Sequence, residues 1–228
     1  MTMLKKQIST LTLLSMFIFQ GCASVYVPNA HHIHMMEKEE EIHIAGGYGM
    51  NGLNIQGGIS ITNFLGIVAA YSETDFAIEA DEERSSRYYE GGLNYFRPVG
   101  TNGKVEVTAA IGTGSAEAER YFDRFDSGEY TKIYLQGSGS LKSNNFEGGA
   151  SLRFGNINFT EFESTKNSAD LRFESLFFEP AAFVSYGSKN IKLESQLGYS
   201  FSLTKPSDLV FDYEFIRLTV GVRFIFNR

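Results

Sequence analysis

Alternation of apolar and polar residues is the feature that most constrains how this chain of 228 residues can fold. From Ile42 onward the dominant period of the apolar side chains is two, which is the period of a β-strand and not of a helix. In the C-terminal stretch EFIRLTVGVRFIFNR, every second residue from Ile216 to Phe226 is apolar. GLNIQGGISI, GKVEVTAAIGTG and IKLESQLGYSFSL repeat the pattern. Nearly every strand is therefore predicted to have one apolar face and one polar or small face.

The alternating segments number about ten, and each approaches the ~10 residues of a tilted strand that crosses a membrane. Short connections such as TNFLG and GSKN alternate with long polar ones such as SETDFAIEADEERSSR. Short turns at one end and long loops at the other predict an all-β fold, an antiparallel up-and-down transmembrane β-barrel over residues 41–228. The predicted strands begin near His43, Leu53, Leu65, Tyr88, Lys104, Thr131, Phe146, Phe177, Ile191 and Phe215.

The apolar face is predicted to face lipid and the polar face to line the barrel lumen. The polar face is rich in small and amide residues, as in QGGIS, EGGLN and EGGAS, which leave room inside a narrow lumen. Its charges balance, as a closed interior requires, and Tyr and Phe recur near strand ends, where interfacial girdles lie. A barrel of about ten strands is narrow enough for side chains to fill, so we expect a closed lumen with paired charges. The predicted lumen charge network consists of Glu90, Glu106, Lys132, Glu147, Arg153, Glu179, Lys192, Glu194, Arg217 and Arg223.

With its alternating hairpins, the turn phrase ITNFLGIVA and the closing strand LTVGVRFIF, the chain resembles small bacterial outer-membrane β-barrel proteins, the OmpA-like and porin-like families, over roughly residues 40–228. The resemblance implies a place in the outer membrane, contact with its lipid, and assembly by the barrel-assembly machinery. In those families a last strand that ends in an aromatic residue is the assembly signal. Here Phe226 is followed by Asn227 and Arg228, which departs from that pattern.

The N-terminal stretch MTMLKKQISTLTLLSMFIFQGC has a basic start, a short apolar core and a small residue before Cys22, as secretory signal peptides do. Its end resembles a bacterial lipoprotein signal, in which the cysteine is lipidated and becomes the mature N-terminus. Phe19 and Gln20 depart from the usual residues of that signal. We expect a signal peptide over residues 1–21, lipidation of Cys22, and a solvated tether over residues 22–40 on the periplasmic side.

The stretch HHIHMM contains His31, His32 and His34 and offers ligands that suit copper, nickel or zinc. Three histidines in four residues bind metal weakly without preformed geometry, and no converging ligand follows later in the chain. The sequence therefore favours a flexible spacer, with no metal centre and no cofactor.

Outer-membrane barrel enzymes, including omptin proteases and lipid A deacylases, use a histidine with an acidic partner near the outer mouth. Here every histidine lies at or before position 43, so that a periplasmic N-terminus would put all four at the wrong end. We therefore expect a non-enzymatic barrel with a structural or surface-interaction role and acidic outer loops, whose outer ligand the sequence leaves open. The formal charge of −7, without a basic block, disfavours nucleic acid as a partner.

Two further hypotheses fit the same pattern. One is a narrow channel or transport barrel. The other is a soluble, lipid-anchored periplasmic barrel that binds an apolar ligand in its core. The orientation of two neighbouring side chains, Arg217 and Leu218, separates a membrane barrel from the soluble one, because Leu218 would point inward in the soluble barrel.

Overall fold

The computed structural model describes residues 24–79, 82–120, 124–165, 173–204 and 211–227. It is built from β-strands, and no helix among the described residues is long and apolar enough to cross a membrane. The strands are β1 (Glu41–Gly49), β2 (Gly52–Ser60), β3 (Leu65–Glu79), β4 (Glu82–Val99), β5 (Gly103–Arg120), β6 (Arg124–Ser143), β7 (Phe146–Ser164), β8 (Phe173–Gly187), β9 (Ile191–Tyr199), β10 (Phe201–Ser202) and β11 (Ile216–Asn227).

The strands close into one antiparallel barrel. Each strand from β1 to β8 pairs with the next, β8 pairs with β9, β9 pairs with β11, and β11 pairs with β1. The short strand β10 continues β9 after Ser200 and pairs with β8, so that β9 and β10 together count as one of ten strands around the barrel. The predicted all-β, up-and-down fold of about ten strands is confirmed.

Several strands are longer than the sequence analysis predicted. The β3–β4 hairpin stays in register from Leu65↔Tyr95 as far as Ala77↔Glu83, which lies within the stretch predicted as a long acidic loop. The pairing continues because ladder hydrogen bonds join backbone groups and do not depend on apolar side chains. The hairpins therefore extend the barrel wall as a polar rim at this end.

The two ends of the barrel differ. At one end, called here the short-turn end, the connections are residues 61–64, 100–102, 144–145 and 188–190. The opposite end, called the long-loop end, has the extended hairpins and the connection 203–215 between β10 and β11. The exception at the long-loop end is the tight β1–β2 turn at residues 50–51, which the sequence pattern also indicates.

Side-chain direction follows the predicted parity. Leu218 is 40% exposed on the outer surface, whereas the neighbouring Arg217 is 1% exposed inside the barrel. The hypothesis of a soluble barrel with an apolar core is therefore wrong, because the apolar residues of the strands face outward and polar residues line the interior.

The apolar outer surface has a margin on the side of the long-loop end. Tyr89, Ile111 and Ile133 are exposed on neighbouring strands at this level. Two residues before Tyr89 on β4, Arg87 forms an exposed ion pair with Glu73 on β3, and the N–O distance is 3.0 Å. The outer surface thus changes from apolar to charged within two residues, as it would where hydrocarbon gives way to water.

Candidate functional site in the barrel lumen

The lumen holds the chain's own N-terminal segment. Every residue from Ser24 to Met36, called here the lumen segment, is buried, and the chain becomes exposed only at residues 37–40 before β1 begins. The expectation of a solvated tether is therefore wrong for these residues. The signal peptide and Cys22 lie outside the described residues.

Side chains of the barrel wall replace the ladder partners that the lumen segment lacks. The Asn54 carboxamide oxygen accepts the backbone N–H of Ala30 at 2.9 Å, and Gln196 accepts that of His31 at 3.1 Å. A Glu106 carboxylate oxygen accepts the N–H of Met36 at 2.8 Å. Buried backbone donors must be paired in this way, since an unpaired one costs about as much as a lost hydrogen bond.

Lumen arginines hold the carbonyl groups of the same segment. Arg153 and Arg217 donate to the Asn29 carbonyl oxygen at 2.9 and 2.7 Å. Arg223 donates from Nη1 to the carbonyl oxygens of Ile33 and His34. These three guanidinium groups therefore fix the segment at two levels of the lumen.

The lumen segment runs from the long-loop end to the short-turn end. Val25 donates its backbone N–H to the Asp212 carbonyl oxygen at 3.0 Å, within the β10–β11 connection. At the other end, Glu40 donates its N–H to the carbonyl of Ser60 at 3.1 Å. The order of these contacts places Ser24 on the long-loop side of the lumen, whereas Glu40 and the start of β1 lie at the short-turn end. A tether on the periplasmic side would not cross the lumen, so this expectation is wrong for residues 24–36.

The ten predicted network residues all face the lumen, where the structure gathers most of them into two groups. In the first, toward the long-loop end, the Glu179 carboxylate contacts Arg153 Nε at 2.5 Å and Lys132 Nζ at 3.2 Å. The Tyr26 hydroxyl donates to Glu179 at 2.9 Å and accepts from Lys132 at 2.7 Å. The lumen segment thus takes part in this ion network directly.

The second group, toward the short-turn end, surrounds Glu147. Its carboxylate binds Lys192, lies 3.0 Å from Lys104 Nζ, and lies 3.7 Å from Arg223 Nη2. Arg223 also contacts the Glu194 carboxylate at 2.8 Å. Lys104, which has the same inward parity as Glu106, also belongs to this group, although it is not among the predicted members.

Two predicted members have partners other than Lys or Arg. Glu90 accepts a hydrogen bond from the Asn29 carboxamide at 2.7 Å, and His32 Nε2 lies 2.8 Å from the same carboxylate oxygen. Glu106 accepts from Met36 and, at 3.2 Å, from the Asn94 carboxamide. Both carboxylates therefore hold the lumen segment.

The histidines of HHIHMM point in different directions. His31 Nδ1 lies 2.5 Å from the Ser151 hydroxyl, whereas His32 Nδ1 lies 3.2 Å from His34 Nε2. Within the described ranges, no group of three or more His, Cys, Asp or Glu side chains is arranged to hold a metal ion.

On the long-loop side of the ion network, the lumen is filled by aromatic side chains. Tyr26 packs edge-to-face on Tyr130 with ring centroids 5.9 Å apart, and Tyr130 stacks on Tyr88 at 5.8 Å. Phe177 and Phe211 complete the cluster around Tyr26. The sequence pattern did not predict this cluster, because the aromatic residues it singled out are those expected in the outer girdles, and none of them belongs to the cluster.

At the short-turn mouth, Glu37 joins the network to the surface. Its carboxylate lies 2.8 Å from Lys104 Nζ and 3.1 Å from Lys142 Nζ. Partial burial raises the pKa of Glu37, but the two ammonium groups outweigh this effect and lower the pKa to about 2. The Glu37 carboxylate is therefore ionised at neutral pH and clamps the lower end of the lumen segment.

No protein-family model matches the sequence, and no curated protein is significantly similar to it. Among solved structures, the outer-membrane protease OmpT of Escherichia coli matches with a TM-score of 0.50 and 11% identity, over 83% of this chain and 94% of that one. The N-terminal barrel of Pseudomonas aeruginosa OprF matches with a TM-score of 0.38 and 14% identity, over 83% of this chain and all of that one. The likeness to the OmpT protease shows the fold alone.

Proposed function

We propose that the chain is a non-enzymatic barrel of the bacterial outer membrane, closed by its own N-terminal segment, lipid-anchored through Cys22, and structural or surface-interacting in role. The observation that carries the proposal is the burial of the whole segment from Ser24 to Met36 inside the barrel. A lumen occupied along its length by polypeptide leaves no wide aqueous path.

The outer surface supports the membrane location. Leu135, Leu193 and Val220 are each more than half exposed, and they belong to an apolar belt around the barrel. Contiguous apolar surfaces of more than a few hundred Å² are rare on soluble monomers. Outer-membrane lipid would cover this belt, and the barrel-assembly machinery would insert the chain, with β11 as its last strand.

The lumen contacts support a closed resting state. Withdrawal of the segment would remove Asn29 from Glu90 and from two arginines, and Tyr26 from Glu179. Each of these buried wall groups would lose a partner, which opposes spontaneous opening.

The test is single-channel conductance in planar bilayers, comparing the full chain with a variant that lacks residues 24–36. We expect the full chain to be silent and the deletion variant to conduct. Heat-modifiable gel mobility checks that the deletion variant folds. A second variant, Arg217→Gln, removes one hydrogen bond to the Asn29 carbonyl oxygen and should give a smaller conductance than the deletion. Equal conductance from the full chain and the deletion variant would refute the closed lumen.

A second candidate function, a narrow channel, has one observation in its favour. A gap of about 20 Å³, lined in part by Ala30 of the segment and by Gly47 and Gly221 of the wall, lies between the two. A space of this size holds roughly one water molecule. Steady ion conductance from the full chain in the same experiment would favour this candidate.

The non-enzymatic part of the proposal rests on the placement of the four histidines. His31 and His32 are buried among lumen side chains, and His34 and His43 line a cavity at the short-turn end. A general base must reach the proton that it removes from a substrate, and none of these rings lies at the long-loop end, where such a substrate would approach. Purified protein is expected to leave peptide and lipid A substrates intact. Hydrolysis that His32→Gln abolishes without loss of folding would overturn this assignment.

The position of Ser24 bears on the proposed anchor. Two residues span at most ~7 Å, so a lipid on Cys22 would join the chain from the long-loop side. Short turns of outer-membrane barrels face the periplasm, so the long-loop side would face the cell exterior. An epitope inserted between Ala23 and Ser24 should bind antibody on intact cells, while the same epitope in the turn at residues 100–102 should not. Acyl labelling that Cys22→Ser removes tests the lipid itself, and protection of both epitopes would contradict the outward direction.

A further inference from the structure

The barrel has a second concave feature at its short-turn mouth. A cavity of about 230 Å³, called here the vestibule, opens there below the end of the lumen segment. Among its lining residues are five lysines, three glutamates and two histidines. They are Lys38, Lys104, Lys142, Lys189, Lys192, Glu37, Glu41, Glu147, His34 and His43.

The charge of the vestibule is opposite to that of the chain. Five lysines against three glutamates leave an excess of two positive charges, whereas the whole chain has a net charge of −7. Lys104, Lys142 and Lys192 form ion pairs with vestibule glutamates. Lys38 and Lys189 are exposed, and neither forms an ion pair within the part of the chain that the structure describes. These two lysines supply the positive excess.

The two vestibule histidines have unused hydrogen-bonding atoms. His43 is 2% exposed; its Nε2 lies 3.4 Å from a Glu41 carboxylate oxygen, and its Nδ1 has no hydrogen-bond partner. His34 is 1% exposed, and its Nδ1 atom also lacks a partner. Buried polar side chains without partners are uncommon, and an ion or ligand commonly accounts for them.

We propose that the vestibule binds a small phosphate-bearing anion. Ammonium groups are point-charge donors that suit phosphate oxygens, and imidazole N–H groups add directional donors at the buried side of the cavity. A metal cation would meet five ammonium groups, which repel it. Each of the three glutamates that line the cavity already has a nitrogen partner, from Lys104, Lys142 or Lys192 or, in the case of Glu41, from the Glu37 backbone and His43. The site is independent of whether the lumen conducts and of whether Cys22 is lipidated.

The same phosphate chemistry can come from a free anion or from a phospholipid headgroup. The probes are therefore sodium diphosphate, titrated calorimetrically into the full chain in zwitterionic detergent, and nanodiscs with or without phosphatidylglycerol. Saturable binding of diphosphate in detergent and in neutral nanodiscs indicates a free anion. If phosphatidylglycerol in the nanodiscs displaces diphosphate from the same lysines, the ligand is a phospholipid headgroup. Both outcomes support the proposal.

The deciding variant is Lys38→Gln combined with Lys189→Gln, which brings the vestibule charge to zero without breaking an ion pair of the described residues. Two surface charges should together change affinity by about tenfold. The matched control is Arg87→Gln, which removes an exposed cation at the long-loop end and should leave binding unchanged. His43→Gln should weaken binding as well, while gel mobility shows that the barrel remains folded.

Three results would overturn the site. The first is the absence of saturable diphosphate binding in detergent together with no effect of phosphatidylglycerol. The second is undiminished binding by the Lys38→Gln/Lys189→Gln variant, and the third is a titration that sodium chloride of equal ionic strength reproduces. Either of the last two would show unspecific attraction.

Discussion

Replacement of Glu179 by Gln tests the ion network that joins the lumen segment to the wall. Glu179 is fully buried and is the carboxylate shared by Arg153, Lys132 and the Tyr26 hydroxyl. Gln keeps the shape of the side chain and removes its charge, so the two cations stay buried with their counter-ion gone. Removal of one partner of a buried ion pair costs about 3–5 kcal/mol, which we expect as the loss in free energy of unfolding.

Folding of this variant is best followed by heat-modifiable gel mobility and far-ultraviolet circular dichroism in urea, because the chain has no tryptophan. A loss of ~3 kcal/mol shifts the unfolding equilibrium constant by roughly two orders of magnitude. Because Gln has one acceptor oxygen where Glu179 has two, it cannot accept from Tyr26 on one side and from Arg153 and Lys132 on the other. The variant should therefore also show conductance events that the unchanged protein lacks.

The matched control is Glu73→Gln, which breaks the exposed ion pair with Arg87 on the outer wall. Exposed pairs contribute about 0–1 kcal/mol, so this variant should unfold almost as the unchanged protein does. Addition of Lys132→Met to Glu179→Gln removes one of the two orphaned cations and should restore part of the lost stability. If Glu179→Gln unfolds at the same urea concentration as the unchanged chain, or if Glu73→Gln is equally harmful, the reasoning is refuted.

Three further predictions concern separate parts of the barrel. Gly221→Val should prevent closure of the β1–β11 seam, because a Cβ at residue 221 would lie 2.3 Å from the Gly46 carbonyl oxygen. The control Gly137→Val should fold, because a Cβ at residue 137 meets nothing within 4 Å; equal folding of the two variants in gel mobility would contradict the seam packing. Leu135→Arg, on the lipid-facing surface, should cost about 2–4 kcal/mol in urea unfolding from lipid, and a neutral result would argue against a lipid-covered face. The Glu37 contact, with a folded pKa of about 2, should stabilise the protein fully above the unfolded value near 4.5 and lose this effect as pH falls toward 2. Glu37→Gln should remove that acid-dependent part of the stability, and identical pH profiles would count against the contact.

The short-turn mouth connects two of these features. Glu37 clamps the lumen segment through Lys104 and Lys142, and both lysines also line the vestibule. An anion bound at Lys38 and Lys189 would lie beside this clamp. Anion binding in the vestibule and retention of the lumen segment should therefore be measured in the same protein sample.

What the sequence alone determined is the barrel and its two faces. A period of two commits each strand to one apolar and one polar side, and a sheet of about ten such strands can pair the backbone groups of its two edge strands only by closing. The parity that puts Arg217 inside therefore puts Leu218 outside without any knowledge of the neighbours. The same parity placed Glu147 and Glu179 on the lumen face.

Only the tertiary structure decided what occupies the lumen. The stretch from Ser24 to Met36 has no strand period, because its backbone pairs with side chains such as Asn54, Gln196 and Glu106 and not with a regular ladder. A stretch that mixes polar and apolar residues without a period looks the same in sequence whether water or a barrel wall satisfies its backbone. The partners that distinguish the two cases come from strands far apart in the chain, and they converge only when the barrel closes.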